Sequence, residues 1–265
     1  MTSVGGRSVW QRRGLGLLGV GGVLLALEVL SRSEVLPSRD VPPVSAVLVT
    51  LAEQLRGPAL WLAAGQTLEG WAIGLGLALA LGVPAGLAIG ASSVVHRLLR
   101  ALVEFLRPIP SVALIPLAVL VYGTGLATTV FLVAFAAFWP ILVQTVYGVQ
   151  EIDPVARDTA RAFRLRRRDR LWLVTIRRTL PAIATGLRIS SSIALILAVT
   201  AELIVGAPGL GSAANAAQAG GNQPLTYALV LVTGTLGLLL NALWRGLERR
   251  ALRWHPSQRA ELAPR

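Results

Sequence analysis

Glu28, Glu69 and Glu202 each interrupt a long apolar run. An ionised carboxylate at the centre of a bilayer costs at least ~2.5 kcal/mol. Groups held there against that cost serve proton transfer or solute contact, or they sit near enough to the interface to be hydrated or bonded to backbone. Gln144 and Asn241 are polar companions in similar runs. The second concentration of chemistry is basic. Residues 157–181, RDTARAFRLRRRDRLWLVTIRRTLP, hold nine arginines in 25 positions. Guanidinium groups at this density hold a loop on the inner face of a membrane and touch anionic lipid. On an amphipathic helix they also suit a groove on another protein.

Other chemistries lack their residues. Cysteine is absent, which removes disulfides, thiolate nucleophiles and cysteine zinc sites. His96 and His255 have no second histidine or carboxylate at ligand spacing, so no metal is expected. Ser190, Ser191 and Ser192 lie in an apolar run and suit interhelical or backbone hydrogen bonds better than nucleophilic attack. Gly14-Leu-Gly16-Leu-Leu-Gly19 matches a dinucleotide-binding string, but no strand precedes it and no acidic residue follows at the required distance. The chain has no lysine and therefore no Walker A motif. No catalytic residue and no cofactor is expected. The net charge of +12 comes entirely from arginines set between apolar runs, not among stacking aromatics, so nucleic acid is not expected either.

Such residues need elements that cross a membrane. The chain of 265 residues is 54% hydrophobic and 14% charged, against about 25% charged for a soluble protein. A hydrocarbon core takes about 20 helical residues to cross, and runs at 14–31, 62–90, 98–121, 126–148, 182–205 and 225–244 suit that length. The expected fold is all-α, a polytopic membrane protein with six transmembrane helices. The first run reads as a retained helix and not a signal peptide, because no clean cleavage site follows and Glu28, Ser31 and Arg32 close it. Tyr122-Gly123-Thr124-Gly125 is a turn between the third and fourth runs. Gly70 and Gly74, then Gly82, Gly86 and Gly90, are spaced by four and predict close helix packing. After Pro42 and Pro43, Val44, Val47, Leu48, Leu51 and Leu55 recur at helical spacing, which predicts an amphipathic helix on the outer surface. With a cytoplasmic N-terminus, 22 arginines fall on the cytoplasmic side and only Arg32, Arg39 and Arg56 outside. Both termini are therefore expected to be cytoplasmic, with the three glutamates in the outer part of the membrane.

Within the basic stretch, Asp153-Pro154 is a helix start, an acceptor followed by proline at the first helical position. Val155, Thr159, Ala162 and Phe163 share one face, and Arg157, Arg161 and Arg164 form the opposite stripe. A second helical piece holds Leu171, Trp172, Leu173, Val174 and Ile176 and is expected to end at Pro181. A loop of 33 residues (149–181) with its own capped helix suggests a docking element as well as a topology signal.

The same stretch resembles the cytoplasmic loop of membrane permease subunits of bacterial ATP-binding cassette importers, nearest the nitrate, sulfonate and taurine subfamily. Asp158, Thr159 and Ala160 stand where that motif has Glu-Ala-Ala, Arg164 replaces its glycine, and Leu180-Pro181 matches its later Leu-Pro. Arg107-Pro-Ile-Pro110, Ala113-Leu-Ile-Pro-Leu117, Gly186-Leu-Arg188 and Ala201-Glu202-Leu-Ile followed by Gly209-Leu-Gly211 carry the likeness further, over about residues 60–245.

The resemblance implies a multi-pass subunit of the bacterial inner (plasma) membrane that dimerises with a second copy. It implies ATP-binding cassette ATPase subunits docked inside, an extracytoplasmic substrate-binding protein outside, and surrounding membrane lipid. Hydrolysis of ATP would then belong to a partner. The coupling helix is expected at about 154–164, with Asp158, Thr159, Ala160, Arg161, Phe163 and Arg164 as coupling residues. Arginine in place of the motif's glycine is expected to reshape the turn or let the helix run on. Glu69, Gln144, Glu202 and Asn215 are the substrate-path candidates. Relatives commonly carry a basic residue near Glu69, so an acid there disfavours a purely anionic cargo and admits a cationic or zwitterionic one. The division expected is 1–60 for the tail, first helix and outer segment, 61–247 for the permease core, and 248–265 for a basic tail. Residues 1–12 and 254–265 are expected to be poorly ordered. A proton-coupled secondary transporter using Glu69 or Glu202 is the alternative, and six runs without inverted repeats weigh against it.

Overall fold

The computed structural model describes residues 9–33 and 40–252. Of the ends expected to be poorly ordered, 254–265 and 1–8 lie outside these residues, and 9–12 open a helix. Among the described residues the regular structure is entirely helical. Its elements are α1 (Val9–Arg32), α2 (Val44–Arg56), α3 (Pro58–Ala91), α4 (Ser93–Leu106), a 3-10 turn (Ser111–Leu114), α5 (Ile115–Tyr122), α6 (Leu126–Gln150), α7 (Pro154–Ala162), α8 (Arg167–Asp169), a π segment (Arg170–Ile176), α9 (Arg177–Val205), α10 (Leu210–Ala219) and α11 (Gln223–Ala251).

The all-α class is as expected, and among the described residues length and apolarity mark four spans, or five if a bent pair counts as one. The four run over 58–91, 126–150, 170–205 and 223–251. A fifth is the pair Ser93–Leu106 and Ser111–Tyr122, bent by 79°. The third expected span, 98–121, is thus not one helix. Pro108 and Pro110 remove two backbone donors where the helix would continue, so α4 stops at Leu106. Pro181 does the opposite of what was expected and lies inside α9. It is only one turn into that helix, where a proline has few intrahelical bonds to break, and the helix itself directly follows the π segment.

The chain forms two compact units, one of residues up to Trp61 with Ala214–Val232, the other of Leu62–Ala213 with the residues from Thr233 onward. In the first, the expected amphipathic helix forms as α2 and buries Val47. Glu28 of α1 accepts hydrogen bonds from the Ser45 backbone N–H (3.0 Å), the Ser45 hydroxyl (2.8 Å) and Arg32 Nε (2.6 Å). That carboxylate joins the end of α1 to the start of α2.

In the second unit the glycines set the frame. A Cβ on Gly74 would lie 2.5 Å from Val133 Cγ1, on Gly86 2.6 Å from Thr145 Cβ, and on Gly90 2.7 Å from Val149 Cβ. Both helices advance together along this seam, so α3 and α6 are parallel, and the chain between them must return from one end of the unit to the other. Across α6 and α9 the order reverses: Gly148 faces Ala182, and the Ser190 hydroxyl donates to the Ala137 carbonyl (2.7 Å). Trp244 of α11 donates to the Ser191 hydroxyl (2.7 Å), and Arg188 pairs with Glu248 (3.4 Å), so α11 is antiparallel to α9. The end of α3, the end of α6, the start of α9 and the end of α11 therefore gather at one end of the unit. The arginines of α4, of 164–178 and of 245–250 all belong to that end.

Candidate functional site

At the arginine-rich end, α7 begins as its sequence predicts. Asp153 Oδ1 accepts from the Val155 backbone N–H (2.8 Å), and Pro154 takes the first helical position. Its packing is less obvious. The stripe turned inward runs through Ile152 and Ala160, both buried, with Ala156 half-buried between them. Val155, Thr159, Ala162 and Phe163 face outward, and Phe163 is 77% exposed. Thr159 and Phe163, though exposed, also border the groove beside the helix, together with Ala160, Leu165, Leu173 and Arg178. Asp158 and Arg164 are also exposed; Arg161 lies on the helix, and its side chain is outside the described residues.

The turn after α7 corrects the expectation that arginine would reshape it. Arg164 itself takes the left-handed conformation, φ 50°. Leu165 N–H reaches the Ala160 carbonyl (3.1 Å), the six-to-one bond of a glycine-type helix cap. The bond geometry dictates the backbone, and the side chain tolerates it because it points into open surroundings. The non-glycine residue costs about 1 kcal/mol at this point. Arg164→Gly is therefore expected to preserve the cap and leave the melting temperature unchanged or raised, measured by thermal unfolding in detergent. A fall of several degrees would show that the arginine side chain holds the turn.

The substrate-path candidates occupy unlike surroundings. Glu69 is exposed on α3. Gln144 is half-buried on α6, where its Cβ would be 3.0 Å from a Cβ on Gly186. Asn215 is exposed on α10 and belongs to the first unit. Glu202 is only 1% exposed. Its Oε2 accepts from the Thr67 hydroxyl (2.9 Å) and from the Gly211 backbone N–H (2.9 Å), and Thr67 Oγ1 accepts from the Leu210 N–H (2.9 Å). Two of the free N–H groups that open α10 are thereby satisfied by side chains from α3 and α9. Gly209 leaves room for the carboxylate, since a Cβ there would overlap it, and a Cβ on Gly211 would overlap the Val199 carbonyl. The pattern Ala201-Glu202-Leu-Ile with Gly209-Leu-Gly211 is thus a clasp. Thr67 completes it and gave no signal in the sequence, because a lone threonine in an apolar run has no spacing to mark it.

Ser191 was likewise visible only as one of three serines. Its carbonyl accepts from Trp71 Nε1 (3.0 Å) and its hydroxyl from Trp244 Nε1 (2.7 Å), tying α9 to α3 and to α11.

Comparison with known proteins supplies the frame for this geometry. A family model described as "binding-protein-dependent transport system inner membrane component" matches residues 78–253. The taurine transport system permease protein TauC of Escherichia coli is 31% identical over 221 residues, 81% of this chain and 80% of that protein. The nitrate import permease protein NrtB of Leptolyngbya laminosa is 32% identical over 178 residues, covering 67% and 63%. The aliphatic sulfonates permease SsuC of Bacillus subtilis, itself a putative assignment, is 26% identical over 242 residues, covering 91% and 88%. Among solved structures, the inward-facing MetNI methionine ABC transporter matches with a TM-score of 0.62 at 20% identity, over 73% of this chain and 97% of that one. An amino acid ABC transporter gives 0.59 at 19% identity, over 76% and 97%. At these identities the structural matches speak for the fold.

Proposed function

The chain belongs to the binding-protein-dependent transport system inner membrane component family, and from that premise we propose that α7 is its coupling helix. Membership makes the chain a non-catalytic permease subunit of an ATP-driven importer, resident in the inner membrane. ATP is hydrolysed by a separate subunit, and solute arrives on a binding protein. On our reading the ATPase grips the outward face of α7, with Phe163 and Val155 as apolar anchors and Asp158, Thr159, Arg161 and Arg164 around them. Ala160 secures the helix from behind. The observation that carries this reading is the exposure of Phe163 on a helix capped at both ends. A rigid helix presenting one aromatic is how a groove on a partner is filled.

The arginine-rich end is cytoplasmic on this reading, which places both termini inside, and two identical copies in lipid enclose the pathway. The coupling is a difference in ATPase affinity between two permease conformations. Glu69, Gln144 and Asn215 are the residues we assign to the solute path, and Glu202 is assigned to the α10 clasp. The cargo is a small polar solute of the kind the relatives' names describe: taurine, nitrate or an aliphatic sulfonate. Among these, exposed Glu69 favours the zwitterion taurine over a bare anion. A proton-coupled mechanism is not favoured, because Glu202 is closed in by hydrogen bonds from Thr67 of α3 and Gly211 of α10.

Phe163→Ala tests the assignment. Loss of a buried aromatic anchor costs about 2 kcal/mol or more of binding, roughly a thirtyfold weaker complex. Co-purification of the ATPase and its stimulation by the permease should both collapse while the melting temperature of the permease alone stays put. Unchanged ATPase recovery with Phe163→Ala and with Phe163→Asp would sink the proposal.

A further inference from the structure

We propose that a cavity at the arginine-rich end, between α4 and α6, binds an organic oxyanion carried on a short apolar stem. The cavity is about 340 Å³, within the size range of small-ligand sites. It lies wholly in the second unit, and none of its lining residues belongs to the α10 clasp, to α7 or to the residues assigned to the path. Nothing in the coupling mechanism requires it.

Its walls divide by chemistry. Ile89 of α3 with Leu142 and Val146 of α6 form the apolar side. The polar side comes from His96, Arg100 and Glu104 on α4, from Arg107 at its C-terminal cap, and from Tyr147 and Gln150 on the last turn of α6. The α4 residues recur at three- and four-residue spacing, so one stripe of that helix faces the cavity. Two guanidiniums meet one carboxylate, leaving a surplus of positive charge. Glu104 is held by Arg100 Nε (2.7 Å), which leaves the terminal nitrogens of Arg100 for a ligand. Arg107 makes no side-chain hydrogen bond or ion pair among the described residues. His96 lines the cavity, and its Nδ1 is buried and unbonded.

The polar side of the cavity, from both helices, therefore carries two guanidiniums, an imidazole, a phenol and an amide beside a patch of aliphatic side chains. Guanidinium donors pair best with planar or tetrahedral oxyanions, and bidentate geometry adds selectivity over halide. The apolar wall excludes a bare hydrated ion as the best-fitting ligand and favours a sulfonate, sulfate or phosphate ester with a few carbons attached. That chemistry is shared by a small free solute and by the headgroup of an anionic lipid. The proposal does not depend on what the permease carries.

The test uses the full-length chain in phosphatidylcholine nanodiscs, titrated calorimetrically with n-butanesulfonate. Saturable binding is expected, weakened roughly tenfold or more in Arg107→Gln and in Arg100→Gln, as for loss of a charge-assisted hydrogen bond. Arg97→Gln, on the same helix outside the cavity, should bind like the parent chain. n-Butylammonium should not bind. Repeating the titration in discs containing phosphatidylglycerol separates the sources. Competition identifies a lipid headgroup as the natural occupant, and undiminished binding identifies a free solute; either supports an oxyanion site. No saturable binding in phosphatidylcholine overturns the proposal. So does equal affinity for n-butylammonium, or parent-like affinity in both cavity variants when their thermal unfolding matches the parent.

Discussion

Gly86→Leu is expected to abolish assembly of the second unit, and Gly86→Ala to destabilise it by about 1–3 kcal/mol, the usual cost of forcing extra atoms into a packed interior. A Cβ on Gly86 would lie 2.6 Å from Thr145 Cβ and 2.9 Å from the Leu142 carbonyl oxygen. Neither neighbour can yield. The second is backbone, and the Thr145 hydroxyl is bonded to the Ile141 carbonyl (2.7 Å). The whole helix must therefore move. Helices in lipid gain little from the hydrophobic effect and are held by van der Waals contact, and a separation of less than an ångström already forfeits a quarter or more of each contact's attraction. The loss is shared along the seam that also includes Gly74 against Val133 and Gly90 against Val149. Gly76, on the same helix, has nothing within 4 Å of its Cβ position. Gly76→Ala should be neutral or slightly stabilising, as alanine is the better helix former. Thermal unfolding in detergent, read alongside the yield of monodisperse protein, compares the two. Equal stability of Gly86→Ala and Gly76→Ala would mean that the seam is not close-packed.

That seam was legible because it needs only one residue type at one spacing. The glycines repeat every four positions on α3, and the repeat translates directly into a face. The N-terminal cap of α7 was legible for the same reason: acceptor, proline and helix occupy consecutive positions. What the sequence hid are features decided by a second element. Proline reads alike in every run, yet Pro108 and Pro110 break a helix while Pro181 is absorbed beside a π segment. The outward face of α7 was identified as one apolar stripe, but which stripe packs inward depends on what lies behind it. Ile152 and Ala160 fill that role, not the larger Val155 and Phe163. Arg164 shows a backbone demand overriding residue preference, since the cap bond from Leu165 to Ala160 survives the loss of glycine. Glu202 stands out in the sequence as a carboxylate in an apolar run, but its bonding cannot be read without Thr67, 135 positions away.

Glu202→Ala is expected to lower stability severely and to end transport, whereas Glu202→Gln should keep most of both. Alanine leaves the Gly211 N–H without its acceptor and the Thr67 hydroxyl without its own, in a site closed to water. Each buried polar group left unpaired costs about 1–3 kcal/mol, and the vacated carboxylate volume adds a cavity term. Glutamine behaves differently because only Oε2 is bonded. Oε1 has no partner, so the amide nitrogen can take that position while the amide oxygen keeps the bonds from Thr67 and Gly211. The contrast separates two roles for the same carboxylate. A clasp needs an acceptor and tolerates glutamine. A proton carrier or a charge that contacts cargo needs ionisation and does not. Thr67→Val supplies the cross-check: combined with Glu202→Ala it should cost less than the two single losses added together, by about 1 kcal/mol, because the residues share one network. The measurements are melting temperature for all four variants and ATP-dependent uptake by the complete importer in proteoliposomes. Glutamine that unfolds nothing yet abolishes uptake would move Glu202 from the structural frame of α10 into the solute pathway.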